Sequence, residues 1–328
     1  MKNHDKSVIL ALAFATFVVI AAFLIRMKSD EVAIDAPEAD VAEENQEAEQ
    51  ATQEESEDEA ESVSTEQTES YSFFVAGHVY GDVASDNEGV HPPFKQKFNL
   101  ISENDDIAFG LFGGDSVLEG TVKDWDEIDA DVAALGKDVH FVTGNHDVIH
   151  RDIFEQRYGS TYKSFKHKKD LFIMLDPNLD NWNISGDQLV FLKSQLSRAQ
   201  NVDNIFVFFH QVLWWTPDNK YKNLHINSEA GRDETINFWT EIEPLFTALP
   251  NKVYMFSGDV GAFDNGSEYM YDSYKNISLI ATGMGGGARD NYILAKRNDD
   301  DTVDLQIVFL NEDRVEDLKT IEQLWDKK

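Results

Sequence analysis

The chain contains no cysteine. Disulfides, thiolate zinc sites and cysteine nucleophiles are thereby excluded. Basic residues are scarce as well: 28 Lys and Arg stand against 61 Asp and Glu, a formal charge of −33. A nucleic-acid binder needs basic surface to displace counterions from phosphates, so no nucleic-acid partner is expected. Residues 29–70 lack Lys, Arg and aromatic residues altogether and read "EENQEAEQATQEESEDEAES" through their middle. Such a segment cannot bury enough apolar surface to fold, and it reads as a disordered, self-repelling acidic linker. Uninterrupted apolar runs of membrane-spanning length are missing too, with one exception. Residues 8–25, "VILALAFATFVVIAAFLI", are uncharged and bounded by Lys6, Arg26 and Lys28. That length suits a single transmembrane helix, so residues 1–28 are expected to be an N-terminal signal anchor. The flanking charges are nearly balanced and say little about orientation. A lone N-terminal helix of this kind usually leaves the N-terminus in the cytoplasm, which places the main domain outside the cytoplasm, in a periplasm or at a cell surface.

From Tyr71 the character changes, and residues 71–328 read as one folded domain. Apolar runs recur as strands: "SFFVAGHV", "IAFGLFGGD", "VHFVTGNHD", "LFIMLD", "NIFVFFHQ", "KVYMFSGD", "ISLIATGMGG" and "VDLQIVFL". Helical patterns lie between several of them: "DWDEIDADVAAL", "SGDQLVFLKSQLSRA" and "DETINFWTEIEPLFTAL". Buried strands alternating with helices predict an α/β fold with helices covering the sheets.

Several of these runs end in a group that can bind a metal. The candidates are His78, Asp115, Asn145, His146, Asp147, His210 and Asp259. One strand-end Asp is usually a turn former or helix cap. Repetition across several strands points instead to a site at the carboxyl ends of the sheet, where α/β folds gather ligand-binding side chains. Mixed carboxylate, amide and imidazole donors suit manganese, iron, zinc or magnesium.

"GGD" (113–115), "GNHD" (144–147), a strand ending in His210 and a later strand ending "SGD" (257–259) resemble, in that order, the calcineurin-like metallophosphoesterases. The resemblance spans nearly all of residues 71–328. It implies a β-sandwich of two sheets flanked by helices, a two-metal centre at strand ends and hydrolysis of a phosphate ester. This chain departs from the family pattern at defined places. Ala76-Gly77-His78 stands where Asp-x-His is expected, and Gly258-Asp259-Val260-Gly261 where Gly-His-x-His is expected. The resemblance implies that one metal subsite is stripped to His78 and Asp115. The other keeps Asp115, Asn145, His210 and Asp259, with Asp in place of His at the last position. One divalent metal ion is therefore expected, with His146 acting on the leaving oxygen and Asp147 orienting the His146 ring. Asp82 and Asp264 are candidate substitutes for the lost ligands.

Other strings carry two readings. Trp214 and Trp215, in "HQVLWWTPDNKY", offer an aromatic platform or buried packing under a loop. His91 in "GVHPPF" stands at the site mouth or in a stiff turn. "TGMGGGARDNY" (282–292) reads as a tight turn rather than a nucleotide cradle, because no helix opens after it. Lys222, Arg232 and Arg289 could hold phosphate or pair on the surface. The reading is a membrane-anchored, metal-dependent phosphoesterase acting on a phosphate ester, with an envelope precursor as one substrate class. The alternative is a catalytically inactive binding module of the same fold at the cell envelope.

Overall fold

A computed structural model describes residues 69–85, 87–263 and 269–325. The predicted anchor, nearly all of the acidic linker and Asp264 lie outside the described residues. Among the described residues no helix is long and apolar enough to cross a membrane.

Two six-stranded sheets form the domain. The first runs β12 (Val315–Asp317), β11 (Val303–Phe309), β10 (Asn291–Arg297), β1 (Tyr71–Ala76), β2 (Ile107–Gly113) and β3 (Val139–Val142). The second runs β4 (Lys163–His167), β5 (Asp170–Met174), β6 (Asn204–Phe208), β7 (Lys252–Ser257), β9 (Ile277–Ala281) and β8 (Met270–Tyr274). β1, β2 and β3 are parallel, as are β5, β6, β7 and β9, while the flanking strands pair antiparallel.

The period-two geometry of a strand explains how one sequence feeds two cores. Along β1, Phe73 and Val75 join an aromatic cluster with Phe109, Phe172, Phe206, Phe208 and Phe256 from both sheets. Phe74 and Ala76 point the other way, into a cluster with Trp125, Ile128 and Leu135 of the helix Val122–Leu135. A third cluster packs the helix Gly186–Ser197 and Trp214 against the outer face of the second sheet. Burial on both faces is why these strands read as continuous apolar runs. The Phe73 ring meets Phe172 edge-on at 5.3 Å and Phe206 at 5.0 Å, tying the sheets together. Each such buried ring contributes about 1.5–3 kcal/mol.

The helix Val122–Leu135 starts at a Thr121–Asp124 capping box and stops at Gly136, which takes the left-handed conformation. The pattern 233–249 was expected to form one helix. A π-turn spans Phe238–Ile242 instead, followed by the short helix Glu243–Thr247. Pro244 has no N–H to continue an α ladder, and the Asn237 side chain ties the start of the turn to Ile184, donating to its carbonyl and accepting from its N–H. β4, β8, β10 and β12 are strands that the sequence patterns did not single out. β12 has just three residues, and β4 and β8 alternate buried and exposed positions imperfectly because they lie at sheet edges.

Candidate metal and phosphate site

The carboxyl ends of β1, β2, β3, β6 and β7 converge. Gly77 and Gly258 make this possible: a Cβ on Gly77 would strike the Gly258 backbone, and one on Gly258 the Gly113 carbonyl. Only glycine lets the three loops approach so closely. Backbone hydrogen bonds fasten them, with His78 N–H donating to Gly114 O at 3.0 Å and Gly258 N–H to His210 O at 3.1 Å. His78 and Asp115 sit at φ 50° and 51°, left-handed values that cost side-chain-bearing residues about 1 kcal/mol or more and gather at functional sites.

Asp115, His210, Asp259 and His78 come together with almost no solvent exposure. His210 Nε2 lies 3.1 Å from Asp115 Oδ2 and 3.6 Å from Asp259 Oδ1, and His78 Nε2 lies 3.8 Å from Asp115 Oδ2. His210 Nδ1 is 3.0 Å from Gly113 O, so Nδ1–H donates to that carbonyl and Nε2 faces the carboxylates. That tautomer is the one metal-binding histidines adopt. His210 Nε2, Asp259 Oδ2 and His78 Nδ1 are buried polar atoms without a proper hydrogen-bond partner. Such orphans are costly unless something else satisfies them.

The electrostatics agree. Burial would lower the His210 pKa, yet Asp115 and Asp259 overcome it and push it up to about 10. Burial pushes Asp259 up to about 8, aided by Asp115 and partly opposed by His210 and the Asn227 amide. Burial alone would raise Asp115, but His210 and His78 hold it below the usual carboxylate range. Burial lowers His78 to about 4, leaving it a neutral donor at pH 7. Protons therefore occupy positions that a cation could take, and the donor set fits a hard or borderline divalent ion in kind. In spacing the donors rest on one another: among the described residues no three acidic or histidine side chains stand open around a common point. The close Asp115–His210 contact must part to admit an ion. Asn145 is half-buried on the β3 loop, one residue before His146, whose N–H donates to Asp115 Oδ1 at 3.1 Å, and it makes no side-chain hydrogen bond among the described residues.

The remaining sequence candidates separate clearly. His146 is half-buried, and its Nδ1 lies 2.6 Å from Leu118 O, which leaves Nε2 directed elsewhere. Asp147 does not orient that ring, contrary to expectation. Its carboxylate accepts backbone N–H bonds from Ser116 (2.8 Å), Val117 (3.1 Å) and Gly144 (2.8 Å), locking the β2 and β3 loops together. Three convergent N–H groups hold an aspartate more strongly than one imidazole does. Leu118 lies three positions beyond Asp115, and nothing in its residue type announces a carbonyl acceptor. Asn227 is a further member that the sequence patterns missed, since it sits on an irregular loop. Its N–H donates to Asp259 O at 3.0 Å, and its Oδ1 accepts from Ala262 N at 2.8 Å.

Both lost ligand positions are closed by packing. Ala76 belongs to the apolar cluster under the helices. Gly261 takes φ +91°, and a Cβ there would press 3.0 Å from the Gly283 backbone. Asp82 turns its Oδ1 to the Ala84 N–H at 2.8 Å, in an ordinary turn. Asp290 draws the glycine-rich loop inward, accepting from the N–H groups of Gly285, Gly286 and Gly287. The three glycine amides are thus turned to Asp290 rather than outward to a nucleotide. His91 is buried and paired with Asp290 at 2.9 Å, not at a mouth. Trp214 and Trp215 are buried packing. Arg232 lies over the Trp182 and Trp215 rings at 5.9 and 5.8 Å. A cavity of about 850 Å³ opens at the other end of the strands beside Ser72, Lys252, Tyr254 and Lys296. It shares no residue with the strand-end cluster.

A family model for the calcineurin-like phosphoesterases matches residues 78–260, more than half of the chain. No curated protein matches. Among solved structures, a purple acid phosphatase from yellow lupin (Lupinus luteus) seeds is 13% identical with a TM-score of 0.56, over 76% of this chain and 53% of that one. The chain thus spans about half the length of that phosphatase, and the likeness is one of fold. A putative 5'-nucleotidase from Staphylococcus aureus is 14% identical with a TM-score of 0.43, over 79% of this chain and 57% of that one. A Vps29 from Entamoeba histolytica is 12% identical with a TM-score of 0.36, over 76% and 99%.

Proposed function

Because the chain belongs to the calcineurin-like phosphoesterase family, whose members use divalent metals, we propose that it is a phosphate-ester hydrolase holding one divalent cation at Asp115, Asn145, His210 and Asp259. The observation that carries this reading is the His210 ring. It is fixed by the Gly113 carbonyl and aims Nε2 at two buried carboxylates. A cation bound among them would supply Lewis acidity toward a phosphoryl oxygen. His78, neutral and beside Asp115, supports the same carboxylate from the stripped side. His146 is held through Nδ1 by Leu118 O and presents Nε2 to the leaving oxygen as the proton donor. Asp147 fixes the two loops on which Asp115 and His146 stand. The apolar run 8–25 and the acidic stretch after it extend the proposal to a membrane-tethered enzyme with an envelope phosphate ester as substrate.

The test is metal content of the purified full chain, together with hydrolysis of an aryl phosphate in manganese, iron or zinc. One metal per chain, with turnover abolished in Asn145→Ala, supports the reading. Absence of both metal and turnover would leave a phosphoesterase-fold binding module, the reading that the closed positions at Ala76 and Gly261 favour.

A further inference from the structure

Tyr80 follows His78 by two residues and is only 2% exposed. Its ring lies between two histidines of the site, 4.3 Å from His78 and 5.2 Å edge-on to His146. Its backbone N–H donates to Asp115 O at 3.1 Å, so the residue is pinned to the loop that carries the central carboxylate. No described residue hydrogen-bonds its hydroxyl. The ring is packed, whereas the hydroxyl keeps contact with solvent and can reach a ligand. The hydroxyl carries its proton at neutral pH, as a phenol does. The group is thus a donor whose ring is held beside the strand-end cluster and whose hydroxyl is left open to a ligand.

We infer that the Tyr80 hydroxyl donates a hydrogen bond to a non-bridging oxygen of the bound phosphoryl group, on the side where Ala76 and Gly261 leave the site without ligands for a second cation. The inference rests on the proposed phosphoesterase reading. In two-metal sites the second ion neutralises phosphoryl charge. Here a neutral donor, oriented by the His78 and His146 rings, meets part of that need through a charge-assisted hydrogen bond. The location suits this role, because a group lying between His78 and His146 adjoins both the stripped subsite and the leaving-group proton donor.

The probe is inorganic phosphate, titrated calorimetrically into the manganese-loaded full chain, wild type and Tyr80→Phe. The variant removes one oxygen and keeps the ring contacts. The expected result is phosphate affinity lowered about five- to tenfold, unchanged metal content and melting temperature, and loss of the tyrosine ultraviolet difference signal that phosphate evokes in the wild type. Tyr80→Leu should lower both melting temperature and phosphate affinity, which separates the packing role of the ring from the binding role of the hydroxyl. Equal phosphate affinity in wild type and Tyr80→Phe would overturn the assignment and leave Tyr80 a packing residue. A wild-type chain that binds metal but neither binds nor releases phosphate would overturn the phosphoesterase reading, and the Tyr80 role with it.

Discussion

The loops after β3 and β7 each bury one aspartate in the same pocket and use it in opposite ways. Asp147 is fully buried and accepts three backbone N–H bonds. Asp259 is 2% exposed, has one oxygen without a partner and meets only a histidine and a nearby amide. Burial raises both, Asp147 to about 7 and Asp259 to about 8, so the desolvation penalty is shared. The hydrogen bonds are not. A carboxylate saturated by backbone donors is a fastener, and one left short of donors in a closed pocket is a ligand in waiting.

The largest effect that could break this contrast is structural. Asp147→Ala should cost about 3–4 kcal/mol, because three buried N–H groups lose their acceptor. Thermal unfolding of the full chain should show a melting temperature roughly 10 °C lower. A change under about 1 kcal/mol would mean that the loops do not depend on the clamp. Asp259→Asn should leave the metal-free chain's stability within about 1 kcal/mol of wild type, since the buried carboxyl already holds a proton at pH 7 and the amide is its neutral counterpart. It should instead weaken manganese binding about 10- to 100-fold. Unchanged affinity would remove Asp259 from the ligand set and shift the reading toward a binding module. The stripped side gives a smaller test. Gly261→Ala should destabilise by about 2 kcal/mol, from the left-handed backbone and the Gly283 contact together. Gly261→His, which restores the family residue, should destabilise at least as much and recruit no second metal. Two metals per chain in that variant would show that the backbone had not closed the subsite.

These contrasts bear on how much was legible in sequence. The strand-end motifs located Asp115, His210 and Asp259, because parallel strands deliver their carboxyl ends to one edge and the residue types at those ends stand out. Most central strands were legible for a related reason: burial on both faces leaves uninterrupted apolar runs, whereas interior β10 ends in Lys296 and Arg297 and has no such clean run. Edge strands such as β12 carry no such run. Residue type alone failed where the partner is a backbone group. The Leu118 carbonyl that orients His146 and the amides that hold Asp147 have no sequence signature. Asn227 and Tyr80 were invisible for another reason, since a loop amide and a phenol acquire meaning only from what lies beside them in three dimensions.

The gentlest test of the contrast is pH. His210 is raised to about 10 and Asp259 to about 8, so both hold protons at pH 7 without metal. Folded pKa values above the unfolded ones mean that the metal-free chain gains stability from these protons at low pH. For Asp259 that gain fades as pH rises from about 4 to about 8. For His210 it is complete below about 6.5 and is lost through about 10. A cation must displace the same protons, so metal affinity carries the opposite slope. It should rise about tenfold per pH unit for each proton displaced, with the Asp259 share ending near pH 8 and the His210 share continuing beyond it. Melting temperatures taken from pH 6 to 9 with and without manganese should therefore diverge, the metal-free curve falling and the stabilisation by metal growing. Proton release on adding manganese at pH 7 should be reduced in Asp259→Asn and unchanged in Asp82→Asn, whose carboxylate serves an ordinary turn. Affinity that stays flat between pH 6 and 8 would mean that no proton leaves this cluster when metal binds, and the buried carboxylate on the β7 loop would then be a second fastener rather than a ligand.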